Sequence, residues 1–176
     1  GVILAGGENR RMPVLKGFIE VEGRKIVERN VKVLRQLFKE VLIVTNQPEL
    51  YIHLNAPLLG DVYNARGPMT GVFTSLLNSA DQWVFVSACD MPFINPKLIE
   101  YMSAKRDGVD VVVPILENRA EPLFAFYSKR ILPSLERFLL SGQKGIKYFL
   151  LEQDNRVQYV TSGEIENIDP ESRSFI

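Results

Sequence analysis

The chain opens with GVILAGGENRRMPVLKG (residues 1–17), in which an apolar run is followed by two glycines and several cations. Its apolar run, residues 2–5, has no polar alternation, which is typical of a strand covered on both faces. A double glycine (residues 6–7) follows, and glycines after a strand let backbone N–H groups approach an anion closely. Arg11 and Lys16 can neutralise a polyphosphate. The opening therefore predicts a buried strand that ends in a phosphate-binding loop.

This loop matches neither of the two common phosphate-binding motifs. A Walker A motif needs Gly before the Lys and Ser or Thr after it, whereas Leu15 precedes Lys16 and Gly17 follows it. The dinucleotide motif G-x-G-x-x-G is also missing, which argues against an oxidoreductase of that class. On spacing alone, a tight turn with solvated cations explains the loop equally well.

Apolar runs alternate with helical patterns along the rest of the chain. The patterns predict strands over 2–5, 17–23, 40–46, 83–90, 109–116, 121–128 and 156–161, and helices over 24–38, 68–79, 95–105, 130–142 and 145–153. Such alternation is typical of an α/β fold, and we expect a three-layer, Rossmann-like sandwich with a mostly parallel sheet. Ligands of such sheets lie beyond the carboxyl ends of the strands, where this chain has its double glycine, Asn46 and Asp90.

Asp90 ends a predicted buried strand and is the candidate metal ligand. Mg²⁺ prefers carboxylate and phosphate oxygens, so Asp90 beside a phosphate loop forms a coherent site. Asp is also a common turn residue, and Pro92 makes a purely structural role reasonable. Cys89 is expected to be a small buried residue, and His53, the one histidine, to be a packed or surface residue without a catalytic role.

Composition sets further bounds on the class of protein. With 176 residues, the chain is expected to form one domain over residues 1–176. Lys plus Arg and Asp plus Glu number 21 each, so the basic excess of a nucleic-acid binder is missing. One cysteine allows neither a disulfide framework nor a cysteine metal cluster. Without a membrane span or signal-peptide pattern, we expect a cytoplasmic protein that binds no membrane.

The combination of LAGGENRRM, ARGPMTGV and ACDMPF resembles the molybdenum cofactor guanylyltransferases. These enzymes have the nucleotide-diphospho-sugar-transferase-like α/β fold, and the similarity extends over essentially the whole chain. The resemblance implies transfer of GMP from GTP to the terminal phosphate of molybdopterin, with Mg²⁺ as cofactor and pyrophosphate as product. It also implies transient contact with cofactor-insertion proteins or molybdoenzyme chaperones.

The resemblance also assigns roles to individual residues. It implies that Arg11, Lys16 and Asp90 are catalytic, with Asp90 as the Mg²⁺ ligand. The implied nucleotide-binding residues are Leu4, Ala5, Gly6, Gly7, Lys16, Asn46, Asp61 and Asp90, with Gly67, Pro68 and Gly71 forming the turn and helix beside the base. NRAEPLFAFY (118–127), SGQKG (141–145) and IENIDPE (165–171) resemble the segments that line the pterin side, and the implied pterin-binding residues in them are Arg119, Lys144, Asn167 and Asp169.

Several positions depart from the family pattern and leave alternatives open. The family usually has Gly-x-Asp-Lys where this chain has Pro13, Val14 and Leu15 before Lys16. A family member that binds GTP without turnover is therefore one alternative. A cytidylyltransferase or a sugar-phosphate nucleotidyltransferase of the same fold is another, although these enzymes usually have Ala-Ala-Gly at residues 5–7. The second Gly of this chain leaves room for a purine and favours guanine.

Overall fold

The opening apolar run forms a buried parallel strand, as predicted. In the computed structural model, β1 (Val2–Leu4) pairs in parallel with β4 (Leu42–Val44) on one side and β6 (Trp83–Ala88) on the other. All three residues of β1 are buried, which explains why the run has no polar alternation. The structure describes residues 1–6, 16–63, 67–142, 146–151 and 155–176.

One sheet organises the described chain, with strand order β10-β7-β9-β6-β1-β4-β5. Its other strands are β5 (Leu58–Leu59), β7 (Val111–Leu116), β8 (Arg119–Ala120), β9 (Phe124–Ser128) and β10 (Val157–Thr161). Strand β9 runs antiparallel to both neighbours, and β8 pairs antiparallel with β7. The short connection between β7 and β9 explains this reversal, because a parallel crossover needs about a dozen residues or more.

Helices cover both faces of the sheet. They are α1 (Ile26–Leu37), α2 (Pro68–Asn78), α3 (Pro96–Ser103), α4 (Leu132–Leu140), α5 (Ile146–Leu151) and α6 (Ser162–Glu166). On β1, Ile3 packs into the core under α1, α3 and α6, whereas Val2 and Leu4 pack into the core under α2, α4 and α5. The three-layer, mostly parallel architecture predicted from the sequence is confirmed.

Individual elements agree with the sequence patterns, with a few differences. The Asn95 side chain accepts a hydrogen bond from Lys97 N at 3.0 Å and caps α3, as the Asn-Pro pattern indicates. Residues 17–23 do not form a single strand: a 3-10 turn, Lys16–Phe18, leads into a hairpin of β2 (Glu20–Val21) and β3 (Arg24–Lys25). Tyr148 on α5 is 65% exposed, whereas the neighbouring aromatic residues Phe138 and Phe149 are buried. Among the helices described, none is long and apolar enough to cross a membrane.

An ion network fixes the start of β7. Asp110 is only 5% exposed, and its carboxylate is bound by Arg156 Nε at 3.1 Å and Arg130 Nε at 2.8 Å. Burial acts to raise the pKa of Asp110, but the hydrogen bonds and charge of Arg156, with the charge of Arg130, outweigh it and lower the pKa. Asp110 therefore stabilises the fold as a carboxylate.

Asp110→Ala is expected to lower the free energy of unfolding by about 2–3 kcal/mol at pH 7, because it removes a buried acceptor of charged hydrogen bonds. Urea denaturation measures this loss, with the exposed Asp107→Ala as the matched control. Since the folded-state pKa is lowered, the contribution is present above the unfolded pKa of about 3.9 and is lost as pH falls through the folded value. An identical urea midpoint for wild type and Asp110→Ala at pH 7 would contradict this role.

Candidate active site

The carboxyl ends of three parallel strands meet at one edge of the sheet. Ala5 N donates to Val44 O at 2.8 Å, and Cys89 N donates to Leu4 O at 3.1 Å, so the ends of β1, β4 and β6 are in register. Gly6, Asn46 and Asp90 follow these strands. The sequence prediction that these residues share one edge is therefore consistent with the fold.

A cavity of about 400 Å³, which we call the first cavity, opens at this edge. It is lined by Leu4, Ala5, Gly6, Lys16, Gly17, Val44, Tyr51, Asp61, Gly67, Pro68, Gly71, Ala88, Cys89, Asp90 and Leu123. Most described members of the predicted nucleotide set thus line one cavity. Gly7 and Arg11, predicted for the phosphate loop, lie outside the described residues, as do Pro13, Val14 and Leu15.

Lys16 and Asp90 form the charged centre of the cavity. Lys16 Nζ lies 3.1 Å from Asp90 Oδ2, and the two side chains are 57% and 33% exposed. The position of Lys16 depends on Gly17, which is buried against the end of β6. A Cβ atom on Gly17 would lie 3.3 Å from Cys89 Cβ and Cys89 O, tighter than ordinary van der Waals contact. Glycine at this position therefore allows the turn to bring Lys16 to Asp90.

Cys89 lines the same cavity but is not an activated nucleophile. Burial, with a smaller contribution from the charge of Asp90, raises the pKa of the Cys89 thiol to about 11. The thiol is therefore neutral at pH 7, and thiolate is the form that reacts. Cys89 is half-buried rather than buried as predicted, because it lines the cavity at the end of β6. His53 lies in a separate 3-10 helix (Ile52–Leu54), outside the lining of the cavity.

Asp61 lines the first cavity and is held by Asn46, a predicted nucleotide-binding residue that is not itself part of the lining. Asn46 Nδ2 donates to Asp61 Oδ2 at 2.9 Å, and Asp61 N donates to Asn46 Oδ1 at 3.1 Å. The second carboxylate oxygen, Asp61 Oδ1, is buried and has no hydrogen-bond partner among the described residues. A buried unpaired acceptor is costly, and a ligand that supplies an N–H or O–H donor removes that cost.

The start of α2 forms another wall of the first cavity. Gly67, which precedes the helix, has φ of +147°, a backbone conformation that favours glycine. Within the helix, a Cβ atom on Gly71 would lie 2.9 Å from Leu4 Cδ2, so glycine lets α2 pack directly on β1. The predicted Gly67, Pro68 and Gly71 all line the cavity, in agreement with their place in the motif.

A second cavity of about 600 Å³ adjoins the first. The two cavities share Lys16, Pro68, Ala88, Asp90 and Leu123. The second is also lined by Ile19, Ile26, Met91, Glu121, Pro122, Phe175 and Ile176. Glu121, Pro122 and Leu123 belong to the segment 118–127, for which the resemblance implies a place on the pterin side. The Lys16–Asp90 ion pair thus lies on the wall common to both cavities.

The predicted pterin-binding residues lie elsewhere, and their role stays a prediction. Arg119 and Asn167 are exposed and line neither cavity. Asp169 is buried, and its carboxylate accepts hydrogen bonds from Ser174 N at 2.9 Å and Asn95 Nδ2 at 3.4 Å. These contacts hold the C-terminal 3-10 segment against α3 and give Asp169 a structural role, which the sequence did not indicate. Lys144 lies outside the described residues.

The donor set at Asp90 fits a Mg²⁺ ion that arrives with a nucleotide. No group of three or more His, Cys, Asp or Glu side chains is placed to hold a metal within the described ranges. Mg²⁺ commonly uses one or two carboxylates together with substrate phosphates and water, rather than a site built from protein ligands alone. The partly exposed carboxylate of Asp90, beside the lysine and facing both cavities, satisfies that requirement.

The fold and these two adjoining cavities define an α/β enzyme that handles nucleotides at the carboxyl edge of its sheet. A family model described as "MobA-like NTP transferase domain" matches residues 1–157. The chain belongs to this family and is a nucleotidyltransferase, which confirms the resemblance noted from its motifs.

Individual relatives agree with this assignment. The chain is 34% identical over 181 residues to a probable molybdenum cofactor guanylyltransferase of Peptoclostridium acidaminophilum, covering 99% of this chain and 81% of the relative. It is 34% identical over 177 residues to a molybdenum cofactor guanylyltransferase of Desulfosudis oleivorans, covering 99% and 87%. The crystal structure of molybdopterin-guanine dinucleotide biosynthesis protein A from Archaeoglobus fulgidus superimposes with a TM-score of 0.82 at 26% identity, covering 99% and 89%.

Proposed function

We propose that the protein transfers GMP from GTP to the terminal phosphate of molybdopterin, in a Mg²⁺-dependent reaction that releases pyrophosphate. The observation that carries this proposal is the Lys16–Asp90 pair on the wall shared by two cavities. A group-transfer enzyme needs a donor and an acceptor that meet at one charged centre. The names of the relatives supply the identities of the nucleotide and the acceptor.

The proposed reaction needs positioning and charge neutralisation more than proton transfer. An oxygen of the acceptor phosphate attacks the α-phosphorus of GTP, and the bond from that phosphorus to the β-phosphate bridging oxygen breaks. The attacking phosphate is already anionic, so it requires little help from a general base. Lys16 neutralises the phosphates that leave. A Mg²⁺ ion held by Asp90 would neutralise charge on the phosphate oxygens.

Asp61 supports a base with an N–H donor in the first cavity. Guanine presents such donors at N1 and the 2-amino group, and cytosine presents one at its 4-amino group, so the choice of guanine rests on the names of the relatives. The unpaired Asp61 Oδ1 is a buried acceptor that such a donor would satisfy. Asn46 already holds the other oxygen, so the carboxylate is oriented before the nucleotide binds.

Asp61→Asn is expected to weaken GTP binding by about tenfold or more. Asn can keep an oxygen towards Asn46 only by turning its NH₂ group to the position of the unpaired Oδ1, where it opposes the donors of guanine. Isothermal titration calorimetry with GTP measures the change, and Asp81→Asn, an exposed acid outside both cavities, is the control. Equal GTP affinities for Asp61→Asn and wild type would remove Asp61 from nucleotide binding.

The same calorimetric titration tests the choice of nucleotide. GTP and CTP are each titrated into the wild-type protein with and without Mg²⁺. The proposal predicts binding that prefers GTP and becomes tighter when Mg²⁺ is present. A preference for CTP would support the cytidylyltransferase alternative, and binding of neither nucleotide would contradict a nucleotidyltransferase site in this chain.

A further inference from the structure

The second cavity combines apolar walls with a few charged side chains. Its walls are mostly apolar, and the ring of Phe175 forms part of them. Phe175 is held edge-on against Phe124, with ring centroids 5.1 Å apart, so this aromatic wall is fixed by the core. Apart from the Lys16–Asp90 pair, Glu121 is the only charged or polar side chain among the described residues that line this cavity.

Backbone hydrogen bonds fix the position of Glu121, while its carboxyl group has no hydrogen-bond or ion-pair partner among the described residues. Glu121 N donates to Pro114 O at 2.9 Å, and Glu121 O accepts from Phe124 N at 3.1 Å, so the residue is fixed between β8 and β9. Within the part of the chain that the structure describes, the carboxyl group forms neither a hydrogen bond nor an ion pair. Burial raises the pKa of Glu121, and the nearby charge of Arg119 opposes this only in part.

The second cavity has an aromatic wall and one carboxylate without a hydrogen-bond partner among the described residues. These features suit a flat heterocycle that carries N–H donors. We propose that the Glu121 carboxylate binds the N3–H and 2-amino groups of the pterin ring of the acceptor, and thereby selects the acceptor. The inference rests on the proposed function, because it assigns the acceptor to the second cavity. Glu121 is then a specificity-determining residue for the transfer reaction.

The donor geometry of a pterin explains why a carboxylate recognises it. Its 2-amino-4-oxo edge presents two parallel N–H groups, which match the two oxygens of a carboxylate in a bidentate arrangement. With this edge at Glu121, Lys16 and Asp90, the other charged side chains that line the cavity, are available to the phosphate of the acceptor. Guanine carries the same pair of donors, so the test must measure both ligands.

The test uses 6-hydroxymethylpterin phosphate, a fluorescent pterin with one phosphate, and its lumazine counterpart, in which an oxygen replaces the 2-amino group. Both are titrated into wild type, Glu121→Gln and the control Glu117→Gln, and GTP is titrated into the same proteins in the presence of Mg²⁺. Glu117 is an exposed acid in the neighbouring turn and lines neither cavity. Gln keeps the size of Glu121 but loses the paired acceptors.

We expect Glu121→Gln to bind the pterin phosphate about tenfold or more weakly than wild type, while its GTP affinity changes less than about twofold. Wild type and Glu117→Gln should prefer the pterin over the lumazine, and Glu121→Gln should lose that preference. Unchanged GTP binding also shows that the variant is folded.

Three results would overturn the inference, and they are distinguishable from one another. If wild type binds the pterin phosphate and Glu121→Gln binds it equally well, Glu121 does not select the acceptor, and the proposed function stands. An equal loss of GTP and pterin binding in a folded variant likewise excludes Glu121 as a residue that selects the acceptor. If wild type binds GTP but not the pterin phosphate, the assignment of the pterin to the second cavity fails, whereas the proposed function is decided separately by formation of the guanine dinucleotide from molybdopterin.

Discussion

Asp90→Asn is expected to reduce Mg²⁺-dependent GMP transfer by about a thousandfold while leaving the protein folded. The substitution keeps the shape of the side chain but removes the negative charge that would hold the metal at the wall between the cavities. Steady-state release of pyrophosphate from GTP in the presence of molybdopterin measures the loss. Because the Lys16–Asp90 pair is partly exposed, its removal costs little stability.

The matched control for this substitution is Asp107→Asn, an exposed acid on the loop before β7. It makes the same chemical change away from both cavities, and its turnover should equal that of wild type. Thermal unfolding of both variants shows that they fold. If the turnover rate of Asp90→Asn lies within about tenfold of the wild-type rate, Asp90 does not have the proposed role in stabilising the transition state.

Lys16→Met is expected to lower kcat/KM for GTP by roughly 10²–10³-fold, because it removes a positive charge from the phosphates that leave. Met retains much of the length of the lysine stem, so packing around the turn is preserved. Steady-state kinetics with GTP as the varied substrate measures the change. Lys32→Met, on the exposed side of α1, is the control. If kcat/KM is unchanged in Lys16→Met, the proposed role of this cation in transfer is wrong.

The fold could be predicted because local patterns and long-range packing agree in this chain. The apolar run of β1 is buried on both faces, and the cap at Asn95 and the glycine at position 142 lie where a helix begins or ends. The reversed direction of β9 could not be read from its composition, because a strand pattern carries no information on direction. The length of the connection between β7 and β9 does indicate the direction of β9, because the connection is too short for a parallel crossover.

The grouping of residues around the first cavity was predictable for a different reason. Its residues directly follow buried strands, and the carboxyl ends of parallel strands must share one edge. Asn46 and Asp90 could therefore be placed together from the sequence. The close contact of Gly17 with Cys89 could not, since a glycine gives no sign of which neighbour approaches it.

The second cavity was harder to predict from the sequence. Its walls come from segments far apart in the chain, from Ile19 to Phe175, and most of these residues look like ordinary core. From the segment NRAEPLFAFY, the resemblance selected Arg119, whereas the structure brings Glu121 to the cavity. Asp169 was selected in the same way, and its hydrogen bonds to Ser174 and Asn95 depend on a chain reversal that no local pattern encodes.

The central claim is that this nucleotidyltransferase joins GMP to molybdopterin. The most direct test incubates the wild-type protein with GTP, Mg²⁺ and molybdopterin, and measures pyrophosphate and the dinucleotide product together, the latter by mass spectrometry. We predict one pyrophosphate for each guanine dinucleotide formed, with no product when Mg²⁺ is removed. Binding of GTP with neither pyrophosphate nor dinucleotide formed would contradict the account and identify a family member that binds the nucleotide without turnover.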